Sequence, residues 1–180
     1  MSEHPAHPVH QADRTNPTHL ADPAHLANPA HPAGTPGDQV PALVMPDEEF
    51  LSVFERGGFP GNAFPHRAHL RMAWLYVTTV GPDEAIEKAA TGIRNIAQHS
   101  GLPTLYHDTI TRAWVYAVAA AIRHSPSTTF DGFIEAHPLL LDKRLLLEHY
   151  TAALLTSPEA RARWVAPDVR AIPGAPPDSL

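Results

Sequence analysis

The placement of proline and glycine constrains this chain more than any other feature. Proline fixes φ and lacks a backbone N–H, so it is accepted in the first turn of a helix and excluded from helix interiors and central strands. Pro46-Asp47-Glu48-Glu49 reads as a helix start ahead of Phe50, Leu51, Val53 and Phe54, and Gly57-Gly58 reads as its stop. Pro65 opens a helix over about 65–80 that ends at Gly81-Pro82, Asp83-Glu84 opens one reaching Gly101, and His107-Asp108 opens one reaching His124. Pro126, Pro138 and Pro158 divide the remainder into shorter pieces, among them a short helix near 128–136 and a returning helix over about 139–155. No segment sustains the period-2 alternation of a half-buried strand. The pattern therefore predicts an all-α fold, an irregular bundle of five to seven helices with disordered N- and C-terminal tails.

The tails follow from what they lack. Residues 1–42 are rich in proline, hold six of the thirteen histidines and show no apolar periodicity, so they are expected to be disordered. Within them a hexapeptide recurs as Asn16-Pro17-Thr18-His19-Leu20-Ala21, Asp22-Pro23-Ala24-His25-Leu26-Ala27 and Asn28-Pro29-Ala30-His31-Pro32-Ala33, too short an array for a solenoid. It reads either as a solvated expansion or as a loose metal-capturing segment. Residues 43–168 form the expected helical domain, and Pro173, Pro176 and Pro177 mark 169–180 as a second tail.

Charge narrows the function. A formal net charge of -6, with Lys88 and Lys143 the only lysines, argues against a nucleic-acid partner, which needs a concentrated basic face. The absence of cysteine removes disulfides, thiolate metal sites and cysteine nucleophiles together. The opening Met-Ser-Glu-His has no signal-peptide character, and no apolar run approaches membrane-spanning length, so a soluble cytoplasmic protein without a membrane partner is expected.

The candidate chemistry lies in histidine. His66 and His69 are three residues apart on one predicted helix, on a face continuing through Leu70, Ala73, Tyr76 and Val77, so the pair points inward and can chelate one ion. Stepping back from Trp114 along the predicted 107–124 helix gives Thr111 and His107, polar groups on its core face. Short turns make these helices run up, down, up, which brings the two histidine-bearing N-termini to one end. The positive end of a helix keeps imidazole neutral and able to donate a lone pair. A returning helix over 139–155 would bring His149 and Tyr150 to the same end, making His149 a fourth candidate ligand. Each histidine also has a structural reading as a hydrogen-bonded core residue. His99 and His124 sit near predicted helix C-termini and His137 precedes Pro138 in a loop, so all three read as structural or solvated.

The pattern Phe64-x-His66-x-x-His69-Leu70 followed by Ala73-Trp74-x-Tyr76, then Tyr106-His107-x-Thr109-x-Thr111 with Trp114 three residues on, and the closing Ser157-Pro158-x-Ala160-Arg161…Trp164-Val165-x-Pro167-Asp168, resembles a family of small bacterial proteins. The likeness spans about residues 47–170. It implies the same three histidines and carries no particular activity; where that family often shows Tyr-Tyr, this chain has His149-Tyr150.

These readings lead to a metal-dependent enzyme acting on a small molecule through a mononuclear site of His66, His69 and His107, with Fe, Cu or Zn as the divalent transition metal. Tyr106, Thr109, Thr111 and Tyr150 are candidates to orient substrate. An O2-using iron or copper oxidoreductase is preferred because no general-base carboxylate accompanies the histidines. A Zn-type transferase or isomerase and a non-enzymatic metal-binding or delivery protein are the alternatives.

Overall fold

The computed structural model describes residues 41–177, and over them the chain is all-α. The helices are α1 (Pro41–Val44), α2 (Asp47–Glu55), α3 (His66–Val80), α4 (Pro82–His99), α5 (Asp108–His124), α6 (Phe130–Ala136), α7 (Ala152–Leu155) and α8 (Pro158–Ala162). Short 3-10 turns occupy Gly61–Ala63, Pro103–Leu105, Pro138–Leu141 and Lys143–Glu148. Among the described residues there is no strand, and no helix is long and apolar enough to cross a membrane.

Helices α3, α4 and α5 pack against one another and form the centre of the bundle. α3 is buried on nearly every side from Ala68 to Tyr76, as expected of a helix enclosed by neighbours rather than lying at the surface. α4 turns back after Gly81, whose φ of 82° lies in the left-handed region that a residue with a Cβ rarely adopts. It buries an alanine-rich stripe, Ala85, Ile86, Ala89 and Ile96, that lets the three helices approach closely. Gly92 carries this further: a Cβ there would overlap the Phe54 ring. α2 supplies Phe50 and Phe54 to an aromatic cluster with Phe59 and Phe64, in which ring centroids lie 5.3–6.0 Å apart.

One buried charge ties the start of the domain to its centre. The Arg71 guanidinium on α3 donates to the Asp47 carboxylate (3.0 Å from Nε) and to the carbonyl oxygens of Ala42 (3.2 Å) and Met45 (2.6 Å). It also lies 4.7 Å over the Phe50 ring. Four of the five guanidinium N–H groups are thereby repartnered, Nη2 donating to Asp47 as well as to Met45, which goes most of the way to meeting the cost of holding a charge there.

The structure departs from the sequence expectation in three places. The returning helix over 139–155 is broken into two 3-10 turns and α7. Side-chain acceptors cause the breaks: Asp142 takes the Arg144 N–H at 2.9 Å, and Thr151 Oγ1 takes the Leu154 N–H at 3.2 Å, each restarting the chain as a new capped turn. The C-terminal segment over 169–177 packs on the domain instead of trailing from it. Ile172 is buried, Arg123 donates to the Pro173 carbonyl at 2.9 Å, and the Val169 N–H donates to the His149 carbonyl at 3.0 Å. The domain also begins before residue 43, since Ala42 in α1 is fully buried. The hexapeptide repeat and the disorder expected of residues 1–40 lie outside the described residues.

Candidate functional site

Pro65 stands at the N-cap of α3 with extended backbone (ψ 166°), and the first helical turn therefore carries His66 and His69. His66 packs edge-on to Trp114 of α5 (centroids 4.5 Å apart), and His69 packs edge-on to Phe64 (4.6 Å). Both rings are half-buried. Burial is the main reason each imidazole loses its proton far below the usual range, at about 4; for His69 the neighbouring His66 adds to the effect, and the nearby Lys143 charge lowers both.

The hydrogen bonds fix the tautomers. A carbonyl oxygen only accepts, so the His66 Nε2–H donates to the Leu140 carbonyl (2.8 Å) and the His69 Nδ1–H donates to the Pro65 carbonyl (3.1 Å). In a neutral ring the lone pair is then on His66 Nδ1 and His69 Nε2. Neither atom accepts a hydrogen bond among the described residues.

His107 is placed differently. It is the N-cap of α5, buried, with its Nε2–H donating to the Leu155 carbonyl (2.9 Å) and Nδ1 accepting the Ile110 N–H (3.3 Å). Burial, with Arg161 nearby, lowers its proton affinity. Both ring nitrogens are occupied by backbone, so the ring holds α5 to the end of α7. α5 meets the His66 ring at Trp114, seven residues and about 10 Å of helix axis beyond His107. The N-terminus of α3 therefore lies against the middle of α5 rather than against its N-terminus. Among the described residues, no group of three or more His, Asp or Glu side chains is placed to hold a metal ion.

The remaining sequence candidates are distributed around His107 and the C-terminal segment. The Tyr106 hydroxyl donates to Asp108 Oδ1 (2.6 Å) and accepts from Arg94 Nη2 (3.1 Å); burial and that carboxylate push its pKa well up. Asp108 is buried, and its other oxygen takes the Arg112 Nε–H at 2.7 Å. Fully buried Thr109 donates its hydroxyl to the Arg163 carbonyl (2.8 Å) and accepts the Val165 N–H (3.1 Å). Thr111 is buried one turn on, with its N–H bonded to the His107 carbonyl at 3.0 Å. The Tyr150 hydroxyl donates to the Val165 carbonyl (3.1 Å), and the His149 Nδ1–H donates to the Arg170 carbonyl (2.8 Å). The Thr109 contacts fasten the segment after α8 to α5, and those of His149 and Tyr150 tie the same segment to the stretch before α7; none of these contacts reaches the His66 and His69 pair.

Two neighbours of the pair carried no signal in the sequence reading. Asp142 and Lys143 follow the turn that holds the His66 carbonyl partner, and both act electrostatically on His66. The two Asp142 oxygens are engaged by Arg144, at 3.0 Å from Nε to Oδ1 and 2.8 Å from Nη2 to Oδ2. No protein-family model, curated protein or solved structure matches the chain.

Proposed function

We propose that His66 and His69 hold one divalent transition-metal ion, Fe, Cu or Zn, through Nδ1 of the first and Nε2 of the second. The remaining coordination positions serve water and a small-molecule substrate, and the chain acts as a metal-dependent enzyme. The observation that carries this reading is the division of work within each ring: one nitrogen is tied to a backbone carbonyl and the other keeps a lone pair. A carbonyl behind each imidazole is the usual way a protein orients a metal-binding histidine and raises its basicity. Burial adds to this by keeping both rings in the neutral form that binds metal. His107 has no such free nitrogen, so the reading rests on two imidazoles rather than three.

Redox chemistry with O2 at iron or copper ranks ahead of Zn-type group transfer on one ground. Asp142, the carboxylate that acts electrostatically on His66, has both oxygens engaged by Arg144 and does not serve as a general base.

Metal content tests the site. In the full-length chain with His4, His7, His10, His19, His25 and His31 replaced by asparagine, equilibrium dialysis is expected to find about one equivalent of Zn(II) or Fe(II). His66→Gln keeps a donor toward Leu140 and His69→Asn keeps one toward Pro65, while each removes an imidazole lone pair. Loss of an orienting partner alone typically costs 10–100-fold in affinity, so loss of a ligand is expected to cost at least about 100-fold in either variant. Undiminished affinity in both would overturn the assignment.

A further inference from the structure

We propose that the hexapeptide repeat, residues 16–33, docks as a polyproline II helix in the groove of its own chain between the 57–61 loop and the C-terminal end of α4.

The sequence of the repeat carries the first half of the argument. A polyproline II helix has three residues per turn, so every third residue falls on one face. At that period residues 16–33 separate into three faces. Pro17, Leu20, Pro23, Leu26, Pro29 and Pro32 make an apolar face. Thr18, Ala21, Ala24, Ala27, Ala30 and Ala33 make a small one, and Asn16, His19, Asp22, His25, Asn28 and His31 a polar one. The six-residue unit is therefore two turns of an amphipathic polyproline II helix, with Leu20 and Leu26 about 19 Å apart on the same side. Such segments are recognised by grooves that accept proline and aliphatic side chains against rings.

The groove has that character. It encloses about 590 Å3, within the range of ligand-binding clefts. Phe59 and Pro60 line one side, and the His99 ring and Leu102, which is 51% exposed, line the other. Glycine lets the two sides meet: a Cβ on Gly57 would lie 2.6 Å from His99 Nδ1, and one on Gly61 2.9 Å from Ser100 Oγ. No Asp, Glu, Lys or Arg is among the described residues lining it, which suits an apolar face and not a charged ligand. Ser100 Oγ accepts the Gly61 N–H at 2.9 Å and keeps its own proton, a donor for one of the carbonyls that a polyproline II helix leaves unpaired.

The chain enters the domain close to this groove. Arg71 holds the Ala42 carbonyl at 3.2 Å and lies over the Phe50 ring, whose centroid is 5.6 Å from that of Phe59. Residues 34–41 separate the repeat from Ala42 and extend to roughly 27 Å, enough to turn back into the groove. Tethering at this distance raises the effective concentration, so a short apolar face with weak intrinsic affinity is enough, which favours the chain's own repeat over that of a second copy.

The chain has no cysteine, so a nitroxide attached through Ala24→Cys, on the small face, is a unique probe. In the full-length protein it is expected to broaden the backbone amide NMR signals of Gly57, Phe59 and Leu102 more than any others of the domain. Leu20→Ser/Leu26→Ser lies outside the folded domain and is expected to lower the docked-to-free ratio at least about tenfold, with the broadening largely lost. Leu102→Glu, with its melting temperature checked against the parent, is expected to do the same. Even broadening over the whole surface, or broadening that survives in the double leucine variant, would overturn the proposal. So would equal broadening when spin-labelled chain is mixed with 15N-labelled chain carrying no nitroxide, which would place the repeat in the groove of a second copy.

Discussion

Acidification from pH 6.5 to 4 is expected to remove about 3 kcal/mol of folding stability for each of His66 and His69 in the metal-free protein. Above pH 6.5 both rings are neutral in the folded and the unfolded chain, and they contribute nothing to the pH dependence. Below 6.5 each ring in the unfolded chain takes up a proton, whereas the folded chain resists until about 4. The unfolded state then binds more protons, so stability falls with falling pH across this window and levels off below it. Losses of this size are a large share of the 5–15 kcal/mol typical of a domain. Urea unfolding at pH 7, 6, 5 and 4.5 measures the effect, with the His66→Gln/His69→Asn double variant as the non-titrating reference. The reference is expected to lose most of the slope between pH 6.5 and 4. Equal slopes in the two proteins would show that these rings are not held neutral by burial.

Thr109→Val is expected to cost about 1–3 kcal/mol, while Thr109→Ser costs less. The hydroxyl is fully buried and serves two backbone groups at once, the Arg163 carbonyl and the Val165 N–H. Valine fills the same space but leaves the buried Val165 N–H unpartnered, which costs about 1–3 kcal/mol, and removes the donor to the part-buried Arg163 carbonyl as well. Serine keeps the oxygen and restores the bridge. A substrate-orienting threonine would show the opposite signature, with activity lost at unchanged stability. Chemical denaturation of the three proteins separates the two roles, and a stable Thr109→Val would remove Thr109 from the clasp between α5 and the C-terminal segment.

The long helices were legible because their limits are written locally. Pro65, Gly81-Pro82 and Gly101 mark the ends of α3 and α4, and the inward stripes of α3 to α5 have helical spacing. The 139–155 region was not, because its breaks come from side-chain caps at Asp142 and Thr151. Asp168, seventeen residues away, reinforces the second by accepting from the Thr151 N–H at 2.7 Å. The packing of 169–177 was hidden for a related reason. Ile172 is a lone apolar residue among prolines, and its burial depends on α5 and on contacts such as that of Arg123 with Pro173.

The candidate site divides in the same way. The His66 and His69 pair was readable from its spacing on one helix face. The separation of His107 was not, because connectivity sets the direction of α5 but not its offset along α3, which the contact of His66 with Trp114 reveals. Lys143 carried no signal because its place beside the pair depends on the turn that brings Leu140 to His66.

The most direct test of the account is long-range 1H–15N NMR of the imidazole rings during Zn(II) titration of the metal-free chain lacking the six N-terminal histidines. The account predicts metal-dependent 15N shifts at His66 Nδ1 and His69 Nε2, with protons retained on His66 Nε2 and His69 Nδ1 and the His107 ring unmoved. Zinc-dependent shifts confined to His107 or His149, with the His66 and His69 rings unchanged, would contradict it.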